Sequence, residues 1–236
     1  METYSLSLAL EDFVPVILSA TGLFIVARMV ARLDTGIGRM AYAGFVLVSV
    51  GGLLKATWKL IMALTDAQTN IVWMDKGMFL WMAPGFLLLA FAVWYTGEIM
   101  MGRKRTQRIW LAPGVMLALV AVALFFTGFP DPEINTWRFI LLGVMTLSNI
   151  VLVLLLIQKA RHFGMTGAAL LFLLNIVLVF VLNGMARMPE QTIPLQWTEQ
   201  LLNTAAQGAF LLAAWQLNKR VADQDVPEFA VTEAVT

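Results

Sequence analysis

Long apolar runs separated by short polar connections recur along the whole chain. Seven of them match the length of about 20 residues that carries an α-helix across a bilayer, at 12–32, 40–64, 73–100, 107–129, 136–158, 164–186 and 193–218. Most have cores without a single charge, as in Gly77–Gly97, Ile109–Pro130, Phe139–Gln158, Phe163–Ala186 and Gln200–Asn218. The first two are broken by Arg28 and by Lys55 and Lys59, which leaves their ends less sharply drawn. Every connection is short, so consecutive helices are expected to pack as antiparallel neighbours. The predicted fold is an all-α integral membrane protein, a bundle of seven transmembrane helices forming one domain over 1–220. Residues 221–236, with Asp223, Asp225, Glu228 and Glu233, read as a polar, disordered tail. Pro84 falls inside the third run, where a missing backbone donor predicts a kink.

Lys and Arg set the orientation of such a bundle, because they accumulate in cytoplasmic connections. One set of ends carries Arg28, Arg32, Arg39, the four basic residues of 103–108, Lys159, Arg161, Lys219 and Arg220, eleven in all. The opposite set carries Lys76, Arg138 and Arg187, three. Eleven against three places the N-terminus outside and the C-terminus in the cytoplasm, as expected for a multi-pass protein of the cell (inner) membrane. Trp73, Trp137 and Trp197 fall near the outer boundary, and Trp94, Tyr95, Trp110 and Trp215 near the inner one, as an interfacial aromatic belt would place them.

Composition agrees and removes several classes of chemistry. The chain is 60% hydrophobic and 13% charged, against about 45–50% and about 25% in soluble domains. Without cysteine there is no disulfide, thiolate nucleophile or iron–sulfur ligand, and a single histidine, His162, supplies no paired haem ligation. No cofactor is expected. The N-terminus lacks the basic region of a signal peptide. Serine-hydrolase, zinc-protease and phosphate-loop motifs are missing, so an enzyme is the least expected class. The basic segment 103–108 is a topology determinant that would attract anionic lipid, and it carries no nucleic-acid recognition module.

The informative exceptions to apolarity are the two lysines of the second run. A charge at bilayer depth costs roughly 2.5 kcal/mol or more and must find water, protein or a counter-charge. Lys55 lies ten residues before Leu64–Thr65, or roughly 15 Å from that end of the helix, and Lys59 shares its face one turn outward. Gly51 and Gly52 continue this face and leave room for a neighbouring helix. On the seventh run Glu199, Asn203 and Gln207 follow i, i+4, i+8 spacing and form a polar stripe at matching depth. If those two helices are neighbours, Lys59 pairs with Glu199, and Lys55 bonds Asn203 or Gln207. Asn149 and Asn175 are further candidates to line the same interior, while Asp75 and Lys76 read as interfacial anchors.

Seven spans with an outside N-terminus are the topology of microbial rhodopsins, which hold retinal on a lysine in the middle of the seventh helix. Here that stretch reads Ala205-Ala206-Gln207-Gly208-Ala209-Phe210-Leu211, so conventional retinal binding is not expected. Small sugar transporters built as three plus one plus three helices share the topology, but their Pro-Gln pair is missing and runs 1–3 do not resemble runs 5–7. The expected function is non-enzymatic binding of a small anionic or lipid-like ligand in an outward-facing cavity, in a receptor-like or accessory role. The alternatives are a small solute transporter using Lys55, or a scaffold subunit that meets a membrane-protein partner or a second copy of itself.

Overall fold

The computed structural model describes residues 5–103, 106–131, 136–185, 188 and 192–223. Among these the chain is all-helical. A short α1 (Leu6–Glu11) leads into α2 (Phe13–Leu33), followed by α3 (Thr35–Leu64), α4 (Val72–Met100), α5 (Leu111–Phe126), α6 (Thr136–His162), α7 (Thr166–Met185) and α8 (Ile193–Asp223). Five segments are long and apolar enough to cross a membrane: Leu6–Leu33, Thr35–Leu64, Val72–Met100, Thr136–His162 and Thr166–Met185. Of the seven runs, the fourth and seventh fall outside that set. α5 has only 16 residues, and α8 is long but diluted by its polar positions.

Local chemistry explains where the elements begin. Ser5 caps α1 by accepting from the Leu8 amide at 3.3 Å, a signal that precedes the first apolar run and extends it toward the N-terminus. Asp34 alone separates α2 from α3, its Oδ1 accepting from the Ile37 amide at 2.9 Å. The second run therefore starts at Thr35 rather than near 40, and Arg39 sits inside the helix. α8 continues to Asp223, three residues into the stretch expected to be tail, and residues 224–236 lie outside the described residues.

Six helices close a ring in which α2 meets α3, α3 meets α4, α4 meets α6, α6 meets α7, α7 meets α8 and α8 returns to α2. α5 stands outside this ring and touches only α4 and α6 lightly. This corrects two expectations. The sequential-neighbour rule fails at α4–α5–α6, where α4 packs on α6 directly. The second and seventh runs, α3 and α8, do not pack along each other, since α2 lies between them. α1 lies across one end of the ring against α3 and α8.

Close approach in the ring depends on small residues. A Cβ on Gly44 would sit 2.6 Å from the Gly85 carbonyl, and one on Gly85 would sit 2.7 Å from Val48, so α3 and α4 touch nearly backbone to backbone there. That contact lies one residue beyond Pro84, within an α4 that stays helical through the proline. Toward the Asp34 end the interior is filled. Val26, Met40, Leu89, Leu152, Phe172 and Leu217, one from each ring helix, are no more than 1% exposed. The opposite half, where α1 lies, is not filled this way.

Candidate functional site

In that less filled half the six ring helices line an open cavity of about 430 Å³. Its lining includes Lys55 and Lys59 from α3, Glu199, Asn203 and Gln207 from α8, and Asn149 from α6. Six of the seven sequence-nominated residues therefore share one space. The seventh does not. Asn175 is 3% exposed and donates its Nδ2–H to the Ala206 carbonyl at 2.9 Å, pinning α7 to α8 instead of lining the hollow.

The lysines meet carboxylates that sequence reasoning assigned elsewhere. Asp12 occupies the break between α1 and α2, where an aspartate would ordinarily cap the following helix, yet its side chain makes no cap bond. Its Oδ2 lies 2.6 Å from Lys59 Nζ, and its Oδ1 accepts from Gln200 Nε2. The preceding residue is tied to the same helix, Thr204 Oγ1 donating to Glu11 Oε1 at 2.6 Å. Gln200 and Thr204 follow i, i+4 spacing, so α8 presents a second polar stripe beside the first. This stripe anchors the α1–α2 break, and its Gln200 joins Glu199, Asn203 and Gln207 in lining the cavity.

Lys55 donates to Asp75 Oδ1 in the first turn of α4, and its ammonium lies 4.0 Å from the Trp58 ring centroid. Trp58 is itself fixed by donating Nε1–H to Asn70 Oδ1 at 3.0 Å. The long lysine stem thus carries the charge across from α3 to a carboxylate at the start of α4. Asp75 is a partner of the site, not only an interfacial anchor. The predicted bond from Lys55 to Asn203 or Gln207 is replaced by this ion pair. Within the first stripe, Gln207 Nε2 instead donates to Asn203 Oδ1 at 3.4 Å.

The two pairs differ in shelter. Side-chain exposure is 17% and 11% for Lys59 and Asp12, against 28% and 26% for Lys55 and Asp75. The lining charges balance, with Lys55 and Lys59 against Asp12 and Glu199. Met78, Met82 and Phe86 of α4 and Ile176, Val179 and Phe180 of α7 supply most of its apolar lining, while α6 and α7 add the amides Asn149 and Asn183. The charges come from α3, α8 and the α1–α2 break, and most of the remaining lining is apolar with scattered amides. Among the described residues no cluster of His, Asp and Glu has metal-holding geometry.

Glu11, Asp12, Asp75, Gln200 and Thr204 were missed because each lies at a helix terminus or beside a more conspicuous residue. The available signals were the acidic pair directly ahead of the first apolar run and the i, i+4 spacing of Gln200 with Thr204. A comparison with protein-family models found no match, and neither curated proteins nor solved structures gave one.

Proposed function

We propose that this chain is a seven-span protein of the cell (inner) membrane that binds a small, lipid-like molecule in its intrabundle cavity. Its role on this reading is receptor-like or accessory. The observation that carries the proposal is the 430 Å³ hollow lined by lysines, carboxylates and amides together with an apolar surface of Met, Ile, Val and Phe. Ligand sites of about 300–1,000 Å³ with an apolar wall and a few convergent polar groups are the usual form for small-molecule binding. The seven-span reading adds α5 and α8 to the five long apolar helices. The eleven-to-three distribution of basic residues supports a cavity that opens outward.

The balance of lining charge sharpens the ligand class. An anion attracted by Lys55 or Lys59 must compete with Asp75 or Asp12 for the ammonium. A ligand carrying both charges, or a neutral amide or hydroxyl head, matches the lining without that competition. Its apolar body would lie along Met82, Phe86 and Phe180.

The test is thermal stability of the purified protein in maltoside micelles, screened against betaines, amino acids, neutral amides and fatty-acid anions. Wild type is compared with Asn203→Leu and Phe180→Trp. A ligand present at 100 times its Kd stabilises the folded state by about 2.7 kcal/mol. A zwitterionic or neutral amphiphile should stabilise wild type and lose that effect in both variants. If only fatty-acid anions act, the charge-balance argument fails; if nothing separates the three proteins, the cavity is not a binding site.

Transport is the second reading. It requires the packed half, with Val26, Met40, Leu89, Leu152, Phe172 and Leu217, to open. Among the described residues that layer is packed with these apolar side chains, and on that ground we favour binding over passage.

A further inference from the structure

At the other end of the bundle, Lys159 breaks the pattern set by Lys55 and Lys59. It lies in the last turn of α6, where the sequence places it among the residues that fix topology, yet it is only 7% exposed. Among the described residues no carboxylate pairs with it, and its ammonium is within hydrogen-bonding reach of the Met100 thioether alone, at 3.7 Å. Space for it is made by Gly97, where a Cβ would come within 3.1 Å of Nζ. Gly97 and Met100 belong to the last turn of α4, whose carbonyl end tolerates a cation. That accounts for the lysine being accommodated but leaves its charge unneutralised.

The ammonium lines a cavity of about 280 Å³ together with Gln158, His162 and Trp94. Glu98 also borders it, but this carboxylate is held by Arg103, at 2.6 and 2.8 Å. A second hollow, of about 450 Å³, shares Trp94 and Leu155 with the first. It is lined by Leu87, Ala90 and Phe91 of α4, Leu147 and Val151 of α6, and Met116 of the outlying α5. Ser148 is its one polar residue. Leu147 is twelve residues from Lys159 along α6, which is roughly 18 Å at the helical rise. A chamber with one net cation therefore adjoins a long apolar groove.

We propose that this composite is a site for an anionic phospholipid. The headgroup phosphate meets Lys159, with Gln158 and His162 as further hydrogen-bond partners. An acyl chain follows the groove between α4, α6 and α5. The proposal requires that these helices cross a membrane, and it is independent of the cavity on the Asp12 side. Charge complementarity selects the anionic headgroup. The basic ends of the helices, which include Arg103 and Arg161, mark this face as the cytoplasmic one, where anionic lipids are abundant. The occupied groove also gives α5, which touches the ring so lightly, an apolar layer to rest on.

The test is native mass spectrometry of the full chain released from micelles doped with equal amounts of phosphatidylglycerol and phosphatidylcholine. Wild type should retain one phosphatidylglycerol with a preference of about tenfold, the ratio equivalent to 1.4 kcal/mol. Lys159→Gln should abolish the preference and Lys159→Arg should keep it. Val151→Trp, at a position 48% exposed and outside the core, should reduce retention of both lipids by obstructing the groove. Excess inorganic phosphate should leave the bound lipid in place. Equal retention of the two lipids by wild type would overturn the proposal, as would an unchanged preference in Lys159→Gln. Displacement by phosphate alone would replace the lipid with a soluble anion and overturn it too. Should Lys159→Gln fail to fold, the wild-type preference and the Val151→Trp result still decide.

Discussion

Replacing Asp12 by Asn removes the carboxylate from Lys59 while keeping the shape of the side chain. Two unit charges at the observed 2.6 Å attract by about 6 kcal/mol at an effective dielectric constant of about 20. Desolvation opposes this by several kcal/mol per ion, and breaking one side of a sheltered pair costs about 3–5 kcal/mol. The pair borders a cavity, so the lower figure applies, and Asp12→Asn and Lys59→Met should each lose about 3 kcal/mol. At about 2–4 °C per kcal/mol for a chain of this size, each lowers Tm by about 6–12 °C. The double variant should lose far less than the sum, because neither charge remains uncompensated. The coupling should reach about 1.5 kcal/mol or more, within the range seen for contacting residues. Reversible unfolding in mixed micelles, followed by tryptophan fluorescence, supplies the four free energies. If the single losses add to within about 0.5 kcal/mol, the two groups do not act as a pair and the account of the site is wrong.

Other consequences are read more simply. Gly44→Val places two methyl groups against the Gly85 carbonyl and Leu89; overpacking of this kind costs about 1–3 kcal/mol, and a Tm equal to wild type would refute the close α3–α4 approach. Asn175→Leu removes the bond to the Ala206 carbonyl, with a loss of about 0.6–1.7 kcal/mol and no change in ligand response; a lost response would return Asn175 to the cavity. Leu119→Ala on α5, at a position 64% exposed, should change stability by less than about 0.5 kcal/mol. Leu152→Ala, with no exposure, should cost about 2–5 kcal/mol. Equal effects would mean that α5 is packed in the bundle. Single cysteines at Ser5 and Asp223, in a chain with none of its own, should react with an impermeant thiol reagent from opposite sides of sealed vesicles; labelling from one side would contradict the seven-span reading.

The helices were legible because apolar runs and their charged ends fix length and depth, and most boundaries fall within a few residues of those read from the sequence. The order around the ring was not legible. Helices that are apolar nearly all round carry no stripe to say which neighbour they face, so chain order was the only guide and it fails at α5. The cavity faces were legible because polar residues in such helices are few, and i, i+4 spacing assigns each to a side. Their partners were not. Asp12 and Asp75 sit at helix starts, where an acidic residue ordinarily serves as a cap or a surface anchor. Only the spatial arrangement shows that α1 folds over α3 and α8 and brings Asp12 to Lys59.

The bundle is built from two unlike halves, and that contrast bears most directly on function. Where Val26, Met40 and Phe172 meet, the interior is filled by apolar side chains. Across the other half the same six helices leave a hollow and surround it with two lysines, two carboxylates and several amides. Packing alone does not call for this. Apolar residues of similar size in place of a sheltered ion pair are often neutral or stabilising by about 1–4 kcal/mol, and they would also fill space. Neither the hollow nor the charges alone would indicate a site, since interiors contain occasional voids and intramembrane charges commonly pair with one another. Their coincidence does, because the charged groups are held at the wall of a hollow that all six ring helices line. The decisive variant is Lys59→Met combined with Asp12→Leu: it should fold at least as stably as Asp12→Asn while failing to respond to any ligand that stabilises wild type. A double variant that kept the full response would show that the ion pair serves packing and has no part in binding.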